Sequence, residues 1–201
     1  MEWKDFYTKK EVTPHFVLEN ICVHRALLTE IFKERPRAVL EVGIGTGTMS
    51  AFLSLSGIEC IGVDNNDAIV TAANGVNKIL GAHAIFHKAD ASSLPFKNLY
   101  FDIVFSQGFF EHFTDDAIII FLREQLRVGK KVILSVPNNF YPKKDIGNER
   151  LLTKEYWDGF LSSNFRMLYS TNYYEFSKEV AGWWNKKIER ALVMYMAKIS
   201  L

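Results

Sequence analysis

Three glycines at alternate positions interrupt an apolar run in the first quarter of the chain. Residues 37–50 read RAVLEVGIGTGTMS, and a strand-like stretch leads there into Gly43, Gly45 and Gly47. Glycine has no Cβ and tolerates positive φ, so such a turn exposes bare backbone N–H and C=O groups. Since one glycine is enough for a turn, the spacing favours a turn against which a ligand lies. A tight strand-to-helix turn without a ligand is the alternative.

Segments typical of strands and of helices alternate after this turn. Runs rich in Val, Ile and Leu predict strands over residues 38–42, 58–63, 83–89, 101–106 and 131–136. Helical periodicity predicts helices between and after them, over residues 47–55, 68–80, 115–127 and 153–161. Almost continuously apolar strands separated by helices indicate a parallel sheet covered on both faces. The sequence therefore predicts an α/β fold with a doubly wound, mostly parallel sheet.

Helical periodicity also marks both ends of the chain. Apolar residues predict one helix over residues 16–32, closed by Pro36. A Tyr-rich segment, residues 166–176, predicts a strand, and residues 177–199 carry apolar positions three and four apart. This second pattern predicts a C-terminal strand followed by a long amphipathic helix.

The size of the chain suits one domain. A chain of 201 residues, 48% of them hydrophobic, can close one sizeable core. We expect a single domain over residues 1–201, with an N-terminal lid and helix (1–36), a sheet core (37–176) and a C-terminal helix (177–201).

Charge and cysteine content exclude several function classes. The chain has 24 basic and 23 acidic residues, a formal charge of +1, so no overall field attracts nucleic acid or an anionic membrane. Its aliphatic clusters are too short to span a bilayer. Cys22 and Cys60 are too few for a disulfide framework or a thiolate metal site. We expect an unprocessed, soluble protein of the reducing cytoplasm that binds no nucleic acid and has no membrane-spanning segment.

A carboxylate at the end of the next strand adds to the glycine turn. Asp64 ends the segment ECIGVD, about twenty residues after the turn, where a carboxylate that binds ribose hydroxyls is expected. Ligands of parallel sheets lie beyond the carboxyl ends of the strands, so the turn and Asp64 together predict a nucleotide-like ligand. A helix cap is the alternative role for Asp64. A dinucleotide site needs G-x-G-x-x-G, and Thr48 stands where its third glycine would be, which disfavours a pyrophosphate.

These residues resemble the class I, Rossmann-like S-adenosylmethionine-dependent methyltransferases, in their small-molecule branch. The first motif of that family is similar to Glu41-Val42-Gly43-Ile44-Gly45-Thr46-Gly47, and the resemblance extends over about residues 39–165. It implies S-adenosylmethionine as cofactor, with Gly43 and Gly45 against its methionine and ribose part and Glu41 near its ammonium group. A carboxylate at that place is charge-matched to an ammonium and a sulfonium, whereas it would repel a pyrophosphate.

The resemblance implies further cofactor-binding positions after each of the next three strands. Asp64 matches the acidic residue that takes both ribose hydroxyls, and Asp90 matches the acceptor for the adenine amino group. A turn residue is the alternative for Asp90. The remaining implied positions are Gly47, Asn65, Ala91, Gln107 and Gly108.

Methyl transfer from a sulfonium is an in-line displacement, so we expect the protein mainly to align the acceptor in a dry pocket. A hydroxyl or a protonated amine also needs a base, for which Glu111 and His112 are the adjacent candidates. Packing or capping at the loop-to-helix junction is the alternative for His112. Further candidates for the acceptor site are Phe109, Phe110 and Phe113 as walls and Phe6 or Tyr7 as a lid, each with an ordinary core role as alternative. Asn138, Asn139 and Tyr141 lie at the ligand edge by topology and are candidate substrate contacts.

The sequence departs from the family pattern in two places. Members end with a sixth strand and an antiparallel seventh, whereas a terminal helix is predicted here. Three alternatives follow: the chain is truncated, the helix binds a partner chain or a second copy, or the helix binds a membrane surface. The loop Ser106-Gln107-Gly108-Phe109 lacks the Asn/Asp-Pro-Pro-Tyr/Phe pattern used on planar amino groups, which argues against adenine or glutamine N-methylation.

Other kinds of site and function are weaker. His83 and His87 would lie about 13 Å apart on a strand, so we predict no metal site. Two rival functions are open: a non-catalytic S-adenosylmethionine-binding partner subunit, and an NAD-dependent oxidoreductase. The intact set of glycines and carboxylates argues against the first, and Glu41 with Thr48 argues against the second.

Overall fold

A computed structural model of the chain describes residues 11–142, 147–181 and 186–201. The helices of these residues are α1 (Pro14–Val23), α2 (Arg25–Lys33), α3 (Thr48–Ser54), α4 (Asp67–Leu80), α5 (Asp115–Val128) and α6 (Lys154–Asn164), with a short 3-10 helix at Phe110–His112. The strands are β1 (Ala38–Val42), β2 (Glu59–Asp64), β3 (Ile85–Lys88), β4 (Phe101–Gln107), β5 (Gly129–Pro137), β6 (Arg166–Ala181) and β7 (Lys186–Ser200).

The described strands form one mixed sheet of seven, in the order β3-β2-β1-β4-β5-β7-β6. Strands β1 to β5 are parallel, and β7 is antiparallel to both β5 and β6. The strand order reverses at β1, which pairs with β2 on one side and β4 on the other. Ligands of open α/β sheets bind at such a reversal, beyond the carboxyl ends of the strands.

Helices cover both faces of the sheet, as the sequence predicts. All five residues of β1 are buried, and neighbouring side chains enter different clusters: Leu40 packs in one and Val39 in the other. The first cluster includes residues of α5 and α6, among them Trp157, and the second includes residues of α2, α3 and α4. The doubly wound, Rossmann-like architecture is confirmed.

The predicted C-terminal amphipathic helix is wrong, because the segment after residue 186 is a strand. β7 lies between β5 and β6, so both of its edges are hydrogen-bonded, and its side chains are buried on both faces of the sheet. Tyr195 and Ala197 enter one core cluster, while Met194 and Met196 enter the other. A strand buried on both faces is apolar at almost every position, and such a run also contains apolar residues three and four apart. Residues 182–185, within the predicted helix, lie outside the described residues.

The correction removes one departure from the family pattern. The described chain ends with a sixth strand and an antiparallel seventh, which together complete the sheet. A partner chain or dimer docking through a C-terminal helix therefore loses its basis.

The N-terminal segment forms two helices rather than one. The break is at His24, which is 5% exposed and whose Nδ1 lies 2.9 Å from the Tyr173 hydroxyl of β6. That hydroxyl lies 2.6 Å from Ser135 Oγ of β5, so a buried polar chain fixes the break against the sheet. The predicted lid residues Phe6 and Tyr7 lie outside the described residues.

Within residues 11–142, 147–181 and 186–201, no helix combines the length and the apolar character that crossing a bilayer requires.

Candidate functional site

Two cavities open at the carboxyl edge of the sheet and meet at the glycine turn. The larger has a volume of about 390 Å³ and the smaller about 240 Å³, and Gly43, Gly45 and Gly108 line both. The larger cavity reaches α1, the 3-10 helix and the β6–β7 pair, whereas the smaller reaches the ends of β2 and β3. One elongated ligand can therefore pass from one cavity to the other along bare backbone.

All three glycines of the turn have positive φ, but the protein fills part of the space that they leave. A Cβ on Gly43 (φ +77°) would lie 2.5 Å from Cδ2 of Phe109, and one on Gly47 (φ +73°) would lie 2.8 Å from Cβ of Ala73. Glycine is thus required at both positions by packing as well as by backbone conformation. Gly45 (φ +50°) lines both cavities, so the expected close approach of a ligand concerns it most directly.

Glu41 places a buried carboxylate next to this turn. Its side chain lines the larger cavity, and its Oε2 accepts hydrogen bonds from Ser50 N (3.1 Å) and Ser50 Oγ (2.6 Å), at the start of α3. Burial raises the pKa of Glu41 to about 7, although the bonds from Ser50 oppose the shift. A carboxylate held this way gains strongly from a cationic ligand, which restores the solvation that burial removes.

Because the pKa of Glu41 is raised, the free energy of unfolding of the ligand-free chain should depend on pH. Its ordinary value is 4.5, so between pH 4.5 and 7 the folded chain keeps a proton that the unfolded chain has released. Stability from this group is full below pH 4.5 and is lost as the pH rises to 7, about 3 kcal/mol in all. The free energy of unfolding of Glu41→Gln, measured in urea and taken relative to the wild type, should therefore rise by about 3 kcal/mol between pH 4.5 and pH 7.5. The exposed variant Glu155→Gln should show no such gain, and a Glu41→Gln difference that stays constant with pH would contradict the expectation.

Asp64 faces the smaller cavity at the end of β2. Its alternative role as a helix cap is absent, because the N-cap of α4 is Asn66, whose side chain accepts a bond from Ala68 N (2.9 Å). Burial raises the pKa of Asp64, and backbone N–H groups of Asn66, Asn65 and Gly45 oppose the shift. The carboxylate is therefore tied to the glycine turn and open to the cavity. Asn65 is exposed and lines the same cavity.

Asp90 and Ala91 line the far side of the smaller cavity, after β3. Asp90 Oδ1 accepts bonds from Ser92 N (2.8 Å) and Ser92 Oγ (2.7 Å), which lower the pKa of this exposed carboxylate. Asp90 thus has the role of a turn residue, the alternative given for it above, and it also presents a charged hydrogen-bond acceptor to the cavity.

The loop after β4 separates the two cavities. Gln107 lines the larger one, and Gly108, whose N–H donates to Ser135 O (2.9 Å), lines both. Of the three predicted wall residues, Phe110 is fully buried in the core, whereas Phe109 and Phe113 line the smaller cavity with Phe121. None of the three lines the larger cavity.

Glu111 and His112 lie side by side in the wall of the larger cavity. His112 Nε2 lies 3.6 Å from Glu111 Oε1, and His112 Nδ1 lies 2.7 Å from Asn148 Oδ1. Burial raises the pKa of Glu111. Burial on its own would lower the pKa of His112, but Glu111 and Asn148 raise it above its ordinary value. The capping alternative for His112 is absent, because Thr114 is the N-cap of α5.

Several residues of the larger cavity carry no signal in the sequence. Asn20 and His24 come from the N-terminal helices, Glu149 from the loop before α6, and Tyr174 from β6. They are far apart in the chain, and only the folded sheet brings them together. Of the predicted loop contacts, Tyr141 lines this cavity, whereas Asn139 is exposed and lines neither cavity. Asn138 is buried, and its amide donates to Leu192 O (2.7 Å).

In the described part of the chain, no group of three or more His, Cys, Asp or Glu side chains is placed to hold a metal ion.

Comparison with known proteins gives one family and several relatives. Residues 39–131 match the family described as a methyltransferase domain. Norajmaline N-methyltransferase of Rauvolfia serpentina is 32% identical over 99 residues, which span 48% of this chain and 33% of that protein. The chloroplastic tocopherol O-methyltransferase of Arabidopsis thaliana is 34% identical over 108 residues, 51% of this chain and 30% of that protein. The chain thus spans about a third of the length of these relatives.

Solved structures share the fold over almost the whole chain. A protein from Pyrococcus horikoshii OT3 has a TM-score of 0.71 at 19% identity and covers 98% of both chains. The magnesium protoporphyrin IX methyltransferase of Synechocystis PCC 6803, solved with bound SAH, has a TM-score of 0.66 at 13% identity, covering 99% of this chain and 93% of that one. At such identities the likeness concerns the fold.

Proposed function

We propose that this chain, whose residues 39–131 match a methyltransferase domain, is a class I S-adenosylmethionine-dependent methyltransferase that transfers a methyl group from S-adenosylmethionine to a small-molecule acceptor. The observation that carries the proposal is the meeting of two cavities at Gly43, Gly45 and Gly108, one with Asp64 in its wall and the other with Glu41. A ribose would find the half-buried carboxylate of Asp64 and a cationic amino-acid group the buried carboxylate of Glu41, on opposite sides of one side-chain-free turn.

The described residues fit this cofactor from one end to the other. Asp64 and Asn65 would hold the ribose hydroxyls, and Asp90 with the backbone of Ala91 would hold the adenine, all in the smaller cavity. Glu41 would hold the ammonium group in the larger cavity. Burial raises the pKa of Glu41 to about 7, so a cation beside it would shift this carboxyl group to its ionised form. The backbone at Gly43, Gly45, Gln107 and Gly108 would line the stretch between them, whereas Gly47 lines neither cavity and packs against Ala73 and Phe86.

When bound, the cofactor supplies an electrophilic methyl group on a sulfonium. The chain's own residues position the acceptor in the larger cavity and exclude water from it. Glu111 and His112 lie in its wall and are the groups that would take a proton from the attacking atom. The aromatic part of its wall includes Phe16 of α1 and Tyr174 and Phe176 of β6, whereas the phenylalanines of the loop after β4 do not line it.

The wider setting is proposed on the same basis. We take the chain as one methyltransferase domain without a nucleic-acid partner, acting on small molecules in a reducing compartment such as the cytoplasm. The support is the near-neutral charge and the two free cysteines, Cys22 and Cys60.

Calorimetry on the full chain tests the cofactor assignment. We expect S-adenosylhomocysteine to bind with micromolar or tighter affinity and to raise the melting temperature, because it occupies both cavities. NADH should do neither, since Glu41 would repel its pyrophosphate. Binding of NADH alone would overturn the proposal, and binding of S-adenosylhomocysteine without methyl transfer to any acceptor would favour the non-catalytic subunit.

A further inference from the structure

His24 belongs both to a buried polar chain and to the wall of the larger cavity. It is 5% exposed, and it lines the larger cavity but not the smaller one. Its Nδ1 lies 2.9 Å from the Tyr173 hydroxyl, which lies 2.6 Å from Ser135 Oγ. Its Nε2 forms no hydrogen bond within the described residues, and it is not one of their fully buried polar atoms that lack a partner. The free end of this polar chain is therefore Nε2, at the cavity.

The hydrogens of the polar chain decide what Nε2 presents to the cavity. Neutral histidine, tyrosine and serine bring three hydrogens, and their two contacts use two of them. The Tyr173 and Ser135 side chains belong to residues that are 6% and 0% exposed, so a hydroxyl hydrogen left over on either would be buried without an acceptor. The least costly arrangement has Ser135 donating to Tyr173, Tyr173 donating to Nδ1, and the ring hydrogen on Nε2.

Burial keeps this N–H donor uncharged. It lowers the pKa of His24 to about 4, so the imidazole is neutral at pH 7. An uncharged donor binds an oxygen lone pair but supplies no charge to balance a carboxylate or a phosphate that has left water. A carbonyl oxygen has two lone pairs and no hydrogen of its own, so it is the partner that suits this donor best.

The strands that fix His24 lie to one side of the glycine turn. The turn follows β1, whereas Ser135 belongs to β5 and Tyr173 to β6. In the sheet β5 lies two strands from β1 and β6 lies four, about 10 and 20 Å away at the usual strand spacing. The donor is therefore held from the side of the larger cavity that is left for the methyl acceptor.

The wall on this side of the cavity is largely apolar. Tyr174 and Phe176 of β6 contribute aromatic rings, and Val193 and Met194 of β7 contribute aliphatic and thioether groups. Rings and apolar side chains pack well against an aromatic molecule. A single uncharged donor in such surroundings fixes the orientation of an otherwise apolar ligand.

We propose that the methyl acceptor of this chain is a small aromatic carbonyl compound, and that His24 binds its carbonyl oxygen through Nε2–H. The inference rests on the proposed methyl transfer and names its substrate class. His24 is then a substrate-binding residue, whereas Tyr173 and Ser135 are positioning residues that fix the ring and its hydrogen. The break between α1 and α2 is the feature that brings the imidazole to the sheet.

Nuclear magnetic resonance tests the position of the hydrogen without any acceptor. In the full chain with ¹⁵N-labelled histidine at pH 7.5, a long-range ¹H–¹⁵N correlation distinguishes the protonated ring nitrogen from the unprotonated one. The spectrum of His24→Phe identifies the His24 signals among those of the five histidines. We expect the hydrogen on Nε2, and a hydrogen on Nδ1 would overturn the proposal.

Matched pairs of uncharged probes test the substrate class. Three ketones and the hydrocarbons that replace C=O by CH₂, namely acetophenone and ethylbenzene, 4-aminoacetophenone and 4-ethylaniline, and 3-acetylindole and 3-ethylindole, are titrated by calorimetry into the full chain saturated with S-adenosylhomocysteine. At least one ketone should bind about ten times more tightly than its counterpart, although the counterpart is the more hydrophobic of the two. The matching carboxylates, benzoate, 4-aminobenzoate and indole-3-carboxylate, should bind more weakly than the ketones.

A variant comparison assigns the preference to His24. His24→Phe keeps a ring but removes the donor, so it should weaken the preferred ketone about tenfold while leaving its hydrocarbon and S-adenosylhomocysteine within threefold. His24→Gln, whose amide N–H can donate in place of Nε2–H, should recover part of the preference. His83→Phe, exposed and outside the lining of both cavities, is the control and should change none of the affinities. If His24→Phe does not fold, the double variant His24→Phe/Tyr173→Phe removes the hydroxyl that lost its acceptor and replaces it.

The outcomes separate this inference from the proposed function. Binding of S-adenosylhomocysteine with no ketone preferred over its hydrocarbon, or with the carboxylates bound most tightly, overturns the carbonyl assignment alone. The same holds if His24→Phe weakens ketone and hydrocarbon equally, which indicates a structural role, or weakens S-adenosylhomocysteine instead, which places the donor on the cofactor. Absence of S-adenosylhomocysteine binding to the wild type overturns the proposed function, and the carbonyl assignment with it.

Discussion

Replacing Asp64 by Ala is expected to weaken the binding of S-adenosylhomocysteine by about a thousandfold, the largest effect of any single change in the site. A carboxylate that accepts from two ribose hydroxyls loses two charge-assisted bonds, each worth about 1.5–3 kcal/mol. The variant also removes the acceptor of the Asn66 N–H group (3.0 Å), so urea unfolding is measured beside the titration to separate a loss of stability from the loss of binding. Calorimetric titration and urea unfolding together measure both effects.

Two further variants make the test specific. Asp64→Asn keeps the shape of the side chain, and its amide oxygen can still accept one bond, so its loss should be about tenfold to a hundredfold. Asp67→Ala, three residues further on, removes an exposed carboxylate that pairs with Lys88 and lies outside the lining of both cavities. It should change the affinity by less than threefold. Equal affinity in Asp64→Ala and Asp67→Ala would show that Asp64 does not bind the ribose.

The sheet core was predictable because local pattern and tertiary environment agree there. β1 begins and ends at the predicted residues, and the helix predicted over residues 68–80 is observed as Asp67–Leu80. These elements are bounded by strong local signals, such as the glycine turn, the Asn66 cap and Gly81 in the left-handed conformation after α4. Strands of the parallel core are covered on both faces, so their composition alone identifies them.

The chain ends were not predictable in the same way, because a partner in space decides their conformation. β7 is extended because β5 and β6 flank it, although its apolar spacing also suits a helix. The helical region before β1 breaks at His24 because Tyr173, 149 residues away, bonds to the imidazole. Neither contact can be read from a local window of sequence.

The two halves of the candidate site differ for the same reason. The glycine turn, Asp64 and Asp90 follow successive strands, so topology alone collects them at one edge of the sheet, where they line the smaller cavity and its junction with the larger one. The larger cavity takes residues from the N-terminal helices, the loop before α6 and the β6–β7 pair. No local window of sequence therefore shows that Glu111 and Glu149 line one wall.

Replacing Gly43 by Ala is expected to destabilise the fold by about 4 kcal/mol. A non-glycine residue at φ +77° costs about 1–2 kcal/mol, and the new Cβ would lie 2.5 Å from the ring of Phe109. That ring cannot move freely, because it packs against Phe110, Phe113 and Phe121 with centroid distances of 5.1, 4.8 and 5.7 Å. Displacing it adds about 1–3 kcal/mol and would push it into the smaller cavity, so affinity for S-adenosylhomocysteine should fall as well.

Gly57 offers a matched control for this substitution. It has nearly the same backbone conformation, φ +78°, but nothing lies within 4 Å of a Cβ placed on it. Gly57→Ala should therefore cost only the backbone part, about 1–2 kcal/mol, and leave ligand affinity unchanged. Adding Phe109→Ala to Gly43→Ala should recover the contact part, a coupling of about 1–3 kcal/mol in a double-mutant cycle of urea unfolding. Equal losses in Gly43→Ala and Gly57→Ala, with no coupling to Phe109, would mean that only the turn conformation, and not the close packing under the ligand, requires glycine at position 43.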